Sequence, residues 1–338
     1  MKRIIYIDNF LAHHGYAPTT GYALVPLLQK EGFEVIPASN KRNQMLRVLH
    51  MLFTIAKHRK NAVVLIATYS TSAFYFAYSC GWLSQLLRTP YVPCLHGGNL
   101  PERINISPRL AKQYFGRSKM NIAVSGYLQQ ALLVKGWRCL VIPNAIPTSK
   151  YPFKLRTEAK PALLWVRSFH KVYNPQMAIQ VLYELRKIYK DAALTMVGPD
   201  KDDSLADCKK LVTTLKLQDQ VIFTGRLSQK EWAQIASVHD IFINTTTADN
   251  LPVSVIEAMA LGMVVISTNV GGVPFLINDG SNGLLVEVNN VKGMVSKIVN
   301  VCSDKLLTQG LSENAFNSSK EYDEAVVVKQ WRILLSAL

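Results

Sequence analysis

Two carboxylates, Asp249 and Glu257, stand on either side of an expected helix start, with seven residues between them. The helix should begin near Pro252, with Ser254 as its N-cap and Glu257 at capping-box spacing. The first amides of a helix have no intrahelical acceptor and attract anions such as a diphosphate. Carboxylates repel phosphate but accept hydrogen bonds from neutral hydroxyls. The pattern therefore predicts a diphosphate site next to sugar or ribose hydroxyls.

The residues after this helix predict its packing. The helix should end at Gly262, and Met263–Ser267 is a continuous apolar run that is typical of a buried strand. Gly271, Gly272 and Pro274 then indicate a turn. The stretch from Thr245 to Val286 is therefore predicted to form, in order, a loop, a helix, a strand, a glycine-rich turn, a short helix, a turn and a strand.

An arginine and a lysine follow the strand predicted at Ala162–Val166. Arg167 offers a fork of donors and Lys171 a point charge, so the two can clamp a diphosphate. They would also stabilise the negative charge that develops on a leaving nucleotide. The alternative is that both are solvated loop charges.

The first part of the chain opens with strand, loop, helix and strand, which indicates a doubly wound α/β domain. The strands are predicted at Arg3–Ile7 and Phe33–Pro37. Between them, we expect the backbone amides near Gly21 to face outward, so that a phosphate or an acceptor could bind there. Gly15 lies in the same connection.

His96 follows the strand predicted at Tyr91–Leu95. Two glycines come next, which places His96 at the carboxyl end of the strand, where open α/β sheets bind ligands. The alternative is a histidine that is hydrogen-bonded only to its own loop.

Several of these residues form a longer pattern. It consists of Asp249-x7-Glu257, Ala258-Met259-Ala260, Gly262, Gly271-Gly272-Val273-Pro274 and Gly283-Leu284-Leu285-Val286. This pattern resembles the donor-site signature of the family-4 retaining glycosyltransferases, in which Glu usually stands where this chain has Asp249. The resemblance implies an α/β protein of GT-B fold, with two Rossmann-like doubly wound domains that face a cleft. It also implies transfer of a sugar from a nucleotide sugar, with retention at the anomeric carbon and without a required metal or cofactor.

The resemblance also implies roles for single residues. His96 and Asp249 would hold the donor sugar, and Glu257 would bind the ribose hydroxyls. Arg167 and Lys171 would meet the diphosphate, although the family's usual spacing is one residue longer. The leaving diphosphate would help to deprotonate the acceptor, so no protein base is required. Further substrate contacts are expected at Gly15, Gly21, Asn144, Gly225, Asn250, Leu251, Pro252, Val253 and Ser254.

The length of 338 residues and the composition, 49% hydrophobic and 18% charged, predict a globular chain of two domains. We place these domains at residues 1–150 and 151–321, with Thr148–Pro161 as the linker. By resemblance to GT-B proteins, a last helix at about 322–338 should pack back on the first domain. The five cysteines are far apart and form no CxxC, which indicates reduced thiols and no zinc site.

The formal net charge of +15 suits an anionic partner. No nucleic-acid-binding motif is visible, so an anionic membrane or a lipid-linked acceptor is the better prediction. Lys41–Lys60 could form a basic amphipathic helix that lies on such a membrane, or an ordinary packed helix.

The residues between Lys60 and Arg88 carry no charge but are interrupted by polar side chains. They predict a strand and a helix and not a membrane span. No signal-peptide pattern follows Met1. We therefore expect a cytoplasmic protein, peripheral at the inner membrane face, which acts on a glycan or lipid-linked acceptor in envelope, exopolysaccharide or lipopolysaccharide synthesis.

Other interpretations stay open. Another GT-B enzyme, such as a sugar-nucleotide epimerase or an inverting transferase, is one, and His96 would be the candidate base of an inverting enzyme. A catalytically degenerate GT-B protein that binds a membrane or a polyanion is another. A dinucleotide dehydrogenase is disfavoured, because no GxGxxG follows the first strand. The acidic run Asp200–Asp203 predicts a polar loop and a helix start, not a metal site.

Overall fold

The computed structural model describes residues 3–16 and 18–338. The chain divides into two compact units. The first contains the residues up to Ala145 together with Glu324–Leu338, and the second contains Ile146–Asp323. The chain therefore passes from one unit to the other twice.

The first unit is built on a parallel sheet with strand order β2-β1-β3-β4-β5-β6. The central strand β3 is buried at every position, because helices cover both faces of a parallel sheet and leave no solvated side. The strands are β1 (Arg3–Ile7), β2 (Glu34–Ala38), β3 (Ala62–Thr68), β4 (Tyr91–Leu95), β5 (Asn121–Ala123) and β6 (Cys139–Val141).

Helices connect these strands, and a helix from the far end of the chain completes the unit. The connecting helices are α1 (Gly21–Lys30), α2 (Gln44–His58), α3 (Ala73–Leu86), α4 (Leu100–Ile106), α5 (Pro108–Phe115) and α6 (Gly126–Leu133). The C-terminal helix spans Glu324–Ala337 and packs against α1. Its buried side chains, among them Trp331 and Leu335, join the core that contains Ile4 and Leu28.

The second unit repeats this architecture, with strand order β12-β11-β10-β7-β8-β9, again all parallel. Its strands are β7 (Ala162–Val166), β8 (Ala193–Val197), β9 (Val221–Gly225), β10 (Ile241–Asn244), β11 (Val264–Thr268) and β12 (Leu284–Val286). Its helices are α7 (Pro175–Leu185), α8 (Ser204–Thr214), α9 (Gln229–Ala236), α10 (Val253–Ala260), α11 (Val291–Ser303) and α12 (Lys305–Ser319). The C-terminal helix of the first unit is α13.

The segment expected to be a linker, Thr148–Pro161, is part of the second unit. The reason is Arg156, which is 2% exposed. Its guanidinium donates hydrogen bonds to the backbone carbonyls of Lys154, Leu261, Ala236 and His239. Together with an ion pair to Asp240 at 3.8 Å, these bonds compensate the buried charge and fix the segment to the unit.

The basic amphipathic helix is α2, which is shorter than the predicted Lys41–Lys60. One of the basic residues in this segment, Arg47, does not lie on the exposed face. Its guanidinium is buried and donates to the carbonyls of Lys41 and Arg42 and to the side chain of Asn9. Arg47 thus holds the loop before α2 by hydrogen bonds and does not contribute to the exposed face of the helix.

The uncharged stretch between Lys60 and Arg88 forms β3 and α3, as predicted. Within residues 3–16 and 18–338, no helix has both the length and the apolar composition that a membrane span requires.

Candidate functional site

Helix α10 begins directly after Pro252, which is its N-cap residue. The prediction that Ser254 is the N-cap is therefore wrong, and the capping box with Glu257 does not form. Proline fixes a backbone angle suited to helix entry, so the helix starts before the serine. Ser254 lies in the first turn, 8% exposed, and its hydroxyl has no hydrogen-bond partner. Since no side chain caps the first turn, the amides of Val253 and Ser254 remain available to a ligand. The next two amides donate to the Pro252 carbonyl.

Glu257 is partly buried, one turn into α10. Its Oε1 accepts a hydrogen bond from the hydroxyl of Tyr151, and the side-chain amide of Gln229 donates to the same hydroxyl. Burial raises the pKa of Glu257, while the Tyr151 hydrogen bond and the charge of Arg167 lower it. Glu257 is thus a carboxylate whose orientation is fixed by neighbours that the sequence analysis did not identify.

Arg167 and Asp249 form an ion pair with each other. Both side chains are mostly buried, with 14% and 12% of their surface exposed. The guanidinium also lies 4.9 Å from the ring centroid of Tyr173, in a cation–π contact. The structure therefore brings together two predicted site residues that the sequence placed 82 positions apart.

Gly271 and Gly272 let their turn pack closely against the loop of Asp249. A Cβ atom on Gly272 would lie 1.6 Å from the carbonyl oxygen of Asn250, and one on Gly271 would lie 2.1 Å from that of Asp249. The amide of Gly272 donates to the Asp249 carbonyl at 2.9 Å. The two glycines thus shape the loop that carries the carboxylate.

Lys171 lies in a short turn beside the same loop. The amide of Thr247 donates to the carbonyl of Val172 at 2.8 Å, and the hydroxyl of Thr245 donates to the carbonyl of Tyr173 at 2.9 Å. The Lys171 side chain is exposed and makes no ion pair with any described residue. Lys171 is therefore an exposed cation on the turn that also carries Tyr173, the ring that contacts Arg167.

The remaining predicted contacts of the second unit lie at two places, the start of α10 and the end of β9. Asn250 is buried, Leu251 is partly buried, and Val253 is 38% exposed. Gly225 ends β9 at a φ of 72°, and its carbonyl accepts a hydrogen bond from Gly198 at 2.9 Å. All of them follow carboxyl ends of strands of one sheet, which is the edge where such sheets bind ligands.

In the first unit, His96 and Asn144 line one cavity together with Thr20. The Nε2 atom of His96 lies 3.2 Å from the Thr20 hydroxyl, and Nδ1 has no partner. Burial lowers the pKa of His96 to about 4. The imidazole is therefore neutral at physiological pH and can donate one hydrogen bond and accept another.

The expectation that the amides near Gly21 face outward is wrong. The amide of Gly21 donates to the carboxylate of Asp8 at 3.3 Å. Asp8 is 2% exposed and also accepts from the Tyr69 hydroxyl at 3.2 Å. A phosphate at this amide would meet the Asp8 carboxylate, which disfavours an anion there, and the contact of Gly21 with an acceptor stays a prediction. Gly15 has a φ of 85°, as its turn requires, and its contact with a substrate stays a prediction.

Among the described residues, no group of three or more histidines, cysteines or acids could hold a metal ion. Asp202 accepts from the amide of Lys171 at 2.9 Å and from the Ser204 hydroxyl. Asp200 accepts from the amide of Leu205 at 3.4 Å. The acidic run therefore serves the start of α8, as predicted.

Four residues that contact predicted site residues, directly or through another side chain, were not identified from the sequence: Tyr151, Gln229, Tyr173 and Asp8. Tyr151 lay inside the supposed linker, and nothing in the spacing of Gln229 or Tyr173 relates them to Glu257 or Arg167. Asp8 had a usable signal, because it directly follows the first strand, at the edge where parallel sheets bind ligands.

Comparison with known proteins gives a family match over half of the chain. Residues 148–318 match the family described as "Glycosyl transferases group 1". The chain is 27% identical over 179 residues to the N-acetyl-alpha-D-glucosaminyl L-malate synthase of Bacillus anthracis, which covers 53% of this chain and 46% of that protein. It is 25% identical over 181 residues to an N,N'-diacetylbacillosaminyl-diphospho-undecaprenol alpha-1,3-N-acetylgalactosaminyltransferase of Campylobacter jejuni, covering 52% and 45%. The matched region thus spans less than half of each relative.

Solved structures are similar to this chain over its whole length. HepE of Anabaena, solved with UDP and glucose, has a TM-score of 0.78 at 19% identity, with all of both chains covered. The sucrose-phosphate synthase of Thermosynechococcus elongatus has a TM-score of 0.78 at 16% identity, also with all of both chains covered. At these identities the likeness gives the fold, and it confirms the predicted α/β class, with two parallel Rossmann-like sheets of the GT-B type.

Proposed function

Since the chain belongs to the glycosyl transferases group 1 family, we propose that it is a glycosyltransferase that moves a sugar from a nucleoside-diphosphate donor to a glycan or lipid-linked acceptor. The observation that supports this best is the start of α10, where uncapped amides and the unpartnered Ser254 hydroxyl lie in a first turn followed by Glu257. These donors suit phosphate oxygens, and the carboxylate suits ribose hydroxyls.

In this proposal the Arg167–Asp249 ion pair separates when the donor binds. The diphosphate offers Arg167 a stronger, bidentate partner, and the hydroxyls of the sugar offer Asp249 new donors. Each side chain exchanges its partner for a ligand group, so neither charge is left buried and unpaired. Lys171, which has no ion-pair partner among the described residues, adds a second positive charge.

We propose retention at the anomeric carbon, with attack from the face of the leaving group. Arg167, Lys171 and the first turn of α10 would stabilise the charge that develops on the leaving diphosphate. The diphosphate oxygens would then take the proton of the acceptor hydroxyl. His96, neutral at physiological pH, would hold the donor sugar by a hydrogen bond and would not act as a base.

The donor site is tested by calorimetry of the purified chain with UDP, GDP, ADP, CMP and dTDP, each alone and as a sugar conjugate. We expect one nucleotide to bind with micromolar Kd, and Arg167→Ala and Glu257→Ala to weaken binding at least tenfold. Lys190→Ala removes an exposed cation elsewhere in the second unit and should leave the affinity unchanged. No binding of any nucleotide to the folded wild type would favour the degenerate membrane- or polyanion-binding interpretation. Product configuration, read by NMR, separates retention from inversion.

We also propose that the acceptor is met at an anionic membrane surface, on the cytoplasmic side, in envelope or exopolysaccharide synthesis. Helix α2 exposes apolar side chains that a soluble surface would usually bury: Met45 by 77%, Leu46 by 57%, Leu49 by 59% and Phe53 by 61%. The neighbouring α3 adds Trp82 and Leu86, exposed by 50% and 64%.

Charge favours the same partner. Residues 1–145 contain 17 Lys and Arg against 4 Asp and Glu, whereas residues 146–338 contain 21 against 19. Between Glu34 and Glu102 the chain has no acidic residue. An apolar stripe within a basic segment suits the interface of an anionic bilayer, where apolar side chains insert and cations meet lipid phosphates.

Vesicle co-sedimentation tests the membrane proposal. We expect binding to phosphatidylcholine vesicles that contain phosphatidylglycerol and no binding to phosphatidylcholine alone. A Leu49→Ser, Phe53→Ser double variant should bind at least tenfold more weakly, while Ile188→Ser, a matched exposed position in the second unit, should bind like the wild type. Equal binding of the double variant and the wild type would exclude this surface.

A further inference from the structure

Tyr151 is a buried phenol placed between two polar side chains. It is 5% exposed and packs near Trp232, with 6.1 Å between ring centroids. Val255 and Ile256 of α10 belong to the same apolar cluster. The ring is therefore held by packing, and its hydroxyl has a fixed position.

Two hydrogen bonds meet at the Tyr151 hydroxyl, one from Gln229 and one to Glu257. Gln229 donates from its side-chain nitrogen, so the phenol oxygen acts as acceptor there. The single phenol hydrogen is left for Oε1 of Glu257. Burial and the neighbouring carboxylate raise the pKa of Tyr151 well above its ordinary value, so the hydroxyl remains a donor at physiological pH.

Gln229 is itself held in place. It is the first residue of α9, and Ser228 before it forms a capping box with Glu231. The amide of Ser228 donates to the Glu231 carboxylate at 2.7 Å. The path from α9 through Tyr151 to α10 thus connects three fixed elements and ends at the carboxylate of Glu257.

Within the part of the chain that the structure describes, Oε2 of Glu257 makes no hydrogen bond. One oxygen of the carboxylate is therefore occupied and the other is available. A carboxylate that can rotate loses binding free energy when a ligand orders it, whereas a carboxylate already oriented avoids this loss.

We propose that Tyr151 is a positioning residue: by holding Oε1 of Glu257 it directs Oε2 to the ribose hydroxyls, and so sets the preference of the site for ribonucleotides. The proposal rests on the proposed role of Glu257 in binding the donor ribose. Tyr151 does not itself touch the nucleotide, and its effect is specific to ligands that carry ribose hydroxyls.

Calorimetry with matched nucleotides tests this inference. UDP and GDP are each compared with their 2′,3′-dideoxy forms, and the base that the wild type binds more tightly is used for the variants. We expect the wild type to prefer the ribose form at least tenfold. In Tyr151→Phe this preference should fall to threefold or less, while the affinity for the dideoxy form stays within twofold of the wild type.

Two further variants complete the design. Gln229→Leu leaves Tyr151 in place but removes the donor that orients it, so it should reduce the preference partially and supplies the test if Tyr151→Phe does not fold. Tyr183→Phe removes a hydroxyl from an exposed position on α7 and should retain the full preference.

The outcomes separate the two proposals. If Tyr151→Phe and Gln229→Leu both bind with the wild-type preference for ribose, the positioning role is overturned and the donor site stands. If the wild type itself does not distinguish the ribose and dideoxy forms, the role of Glu257 fails, and this inference fails with it.

Discussion

At the scale of single residues, the Arg167–Asp249 ion pair occupies two groups that the proposed donor needs. Substitution of Asp249 should therefore affect the binding of the nucleoside diphosphate and the reaction of the sugar nucleotide in different ways. In Asp249→Asn, Arg167 loses its competing partner, so the affinity for the nucleoside diphosphate alone should stay equal or rise. The catalytic efficiency with the sugar nucleotide should fall at least 100-fold, because the sugar contact is lost. Calorimetry and a transfer assay measure the two quantities.

The same substitution has an effect on stability. Removing the charged acceptor of the mostly buried Arg167 guanidinium should lower the free energy of unfolding by about 1–3 kcal/mol, the penalty for a buried donor left without its partner. Asp279→Asn is the control, because it breaks a 3.7 Å ion pair with Lys297 in which the Asp279 side chain is 48% exposed. It should change the free energy of unfolding by less than about 0.5 kcal/mol. Weaker binding of the nucleoside diphosphate to Asp249→Asn than to the wild type would contradict the exchange of partners.

His96 gives a prediction about pH. Burial lowers its pKa from 6.5 to about 4, so the unfolded chain binds the proton more readily than the folded chain. Stability linked to His96 is therefore full above pH 6.5 and is lost as the pH falls towards 4. The loss could reach about 3 kcal/mol. Urea unfolding between pH 7 and 4.5 should show a smaller decrease for His96→Gln than for the wild type, and equal decreases would refute the shifted pKa.

At this scale the sequence identifies Asp249, Glu257 and Arg167 as candidates, because each follows a strand or lies at the start of a helix, and the structure brings Arg167 and Asp249 together. The partners of these residues could not. Tyr151 reaches Glu257 across 106 positions, and Gln229 reaches Tyr151 across 78, through contacts that no periodic pattern encodes. The predicted capping box of Ser254 and Glu257 does not form for a local reason, because the helix starts after Pro252, before Ser254.

At the scale of secondary-structure elements, the turn of Gly271 and Gly272 supports the loop of Asp249. Gly272 has a φ of −88°, which any residue can adopt, so its requirement is purely steric. Gly272→Ala should displace the carbonyl of Asn250 and lower the free energy of unfolding by about 1–3 kcal/mol, a typical penalty for overpacking. Nucleotide affinity should fall as well, because the loop moves.

A second glycine provides the control. Gly310 lies inside α12 and a Cβ there would meet nothing within 4 Å. Gly310→Ala should stabilise the chain by about 0.5–1 kcal/mol, since alanine favours helices. Thermal unfolding and calorimetry distinguish the two variants. If Gly272→Ala is as stable as the wild type, the close approach of turn and loop is not required.

The elements themselves were largely predictable, because buried strands and amphipathic helices leave distinct patterns. The segment Thr148–Pro161 was not, since prolines and charges are typical of linkers. Its ordered packing depends on the buried Arg156, whose four backbone acceptors come from distant parts of the sequence. Arg47 of α2 is a second example, because spacing in the sequence does not distinguish a buried arginine from a solvated one.

At the scale of the whole molecule, α13 belongs to the first unit although it follows the second in sequence. It buries Val327, Trp331, Leu334 and Leu335. At about 1.5–3 kcal/mol for each side chain, their loss rivals the 5–15 kcal/mol that stabilise an ordinary domain. A chain ending at Asp323 should therefore lose hydrogen-exchange protection in α1 and β1, while β10 and α10 of the second unit keep theirs.

Ile333 serves as the control for this prediction, because it lies on α13 but is 63% exposed. Ile333→Ser should leave the exchange of both units unchanged. Protection of α1 and β1 in the shortened chain equal to that of the intact chain would show that the first unit does not depend on α13.

The double passage of the chain between units also affects the order in which the protein can fold during translation. Domains usually fold as they leave the ribosome, and translation adds about 5–20 residues each second. The first unit cannot do so, because α13 is synthesised only after all of Ile146–Asp323. Its apolar core, with Ile4 and Leu28, remains incomplete for many seconds while the second unit is synthesised. The second unit can fold during this time. The part of the chain that is synthesised first is thus the part whose fold is completed last, and its apolar core stays exposed for longer than that of the second unit.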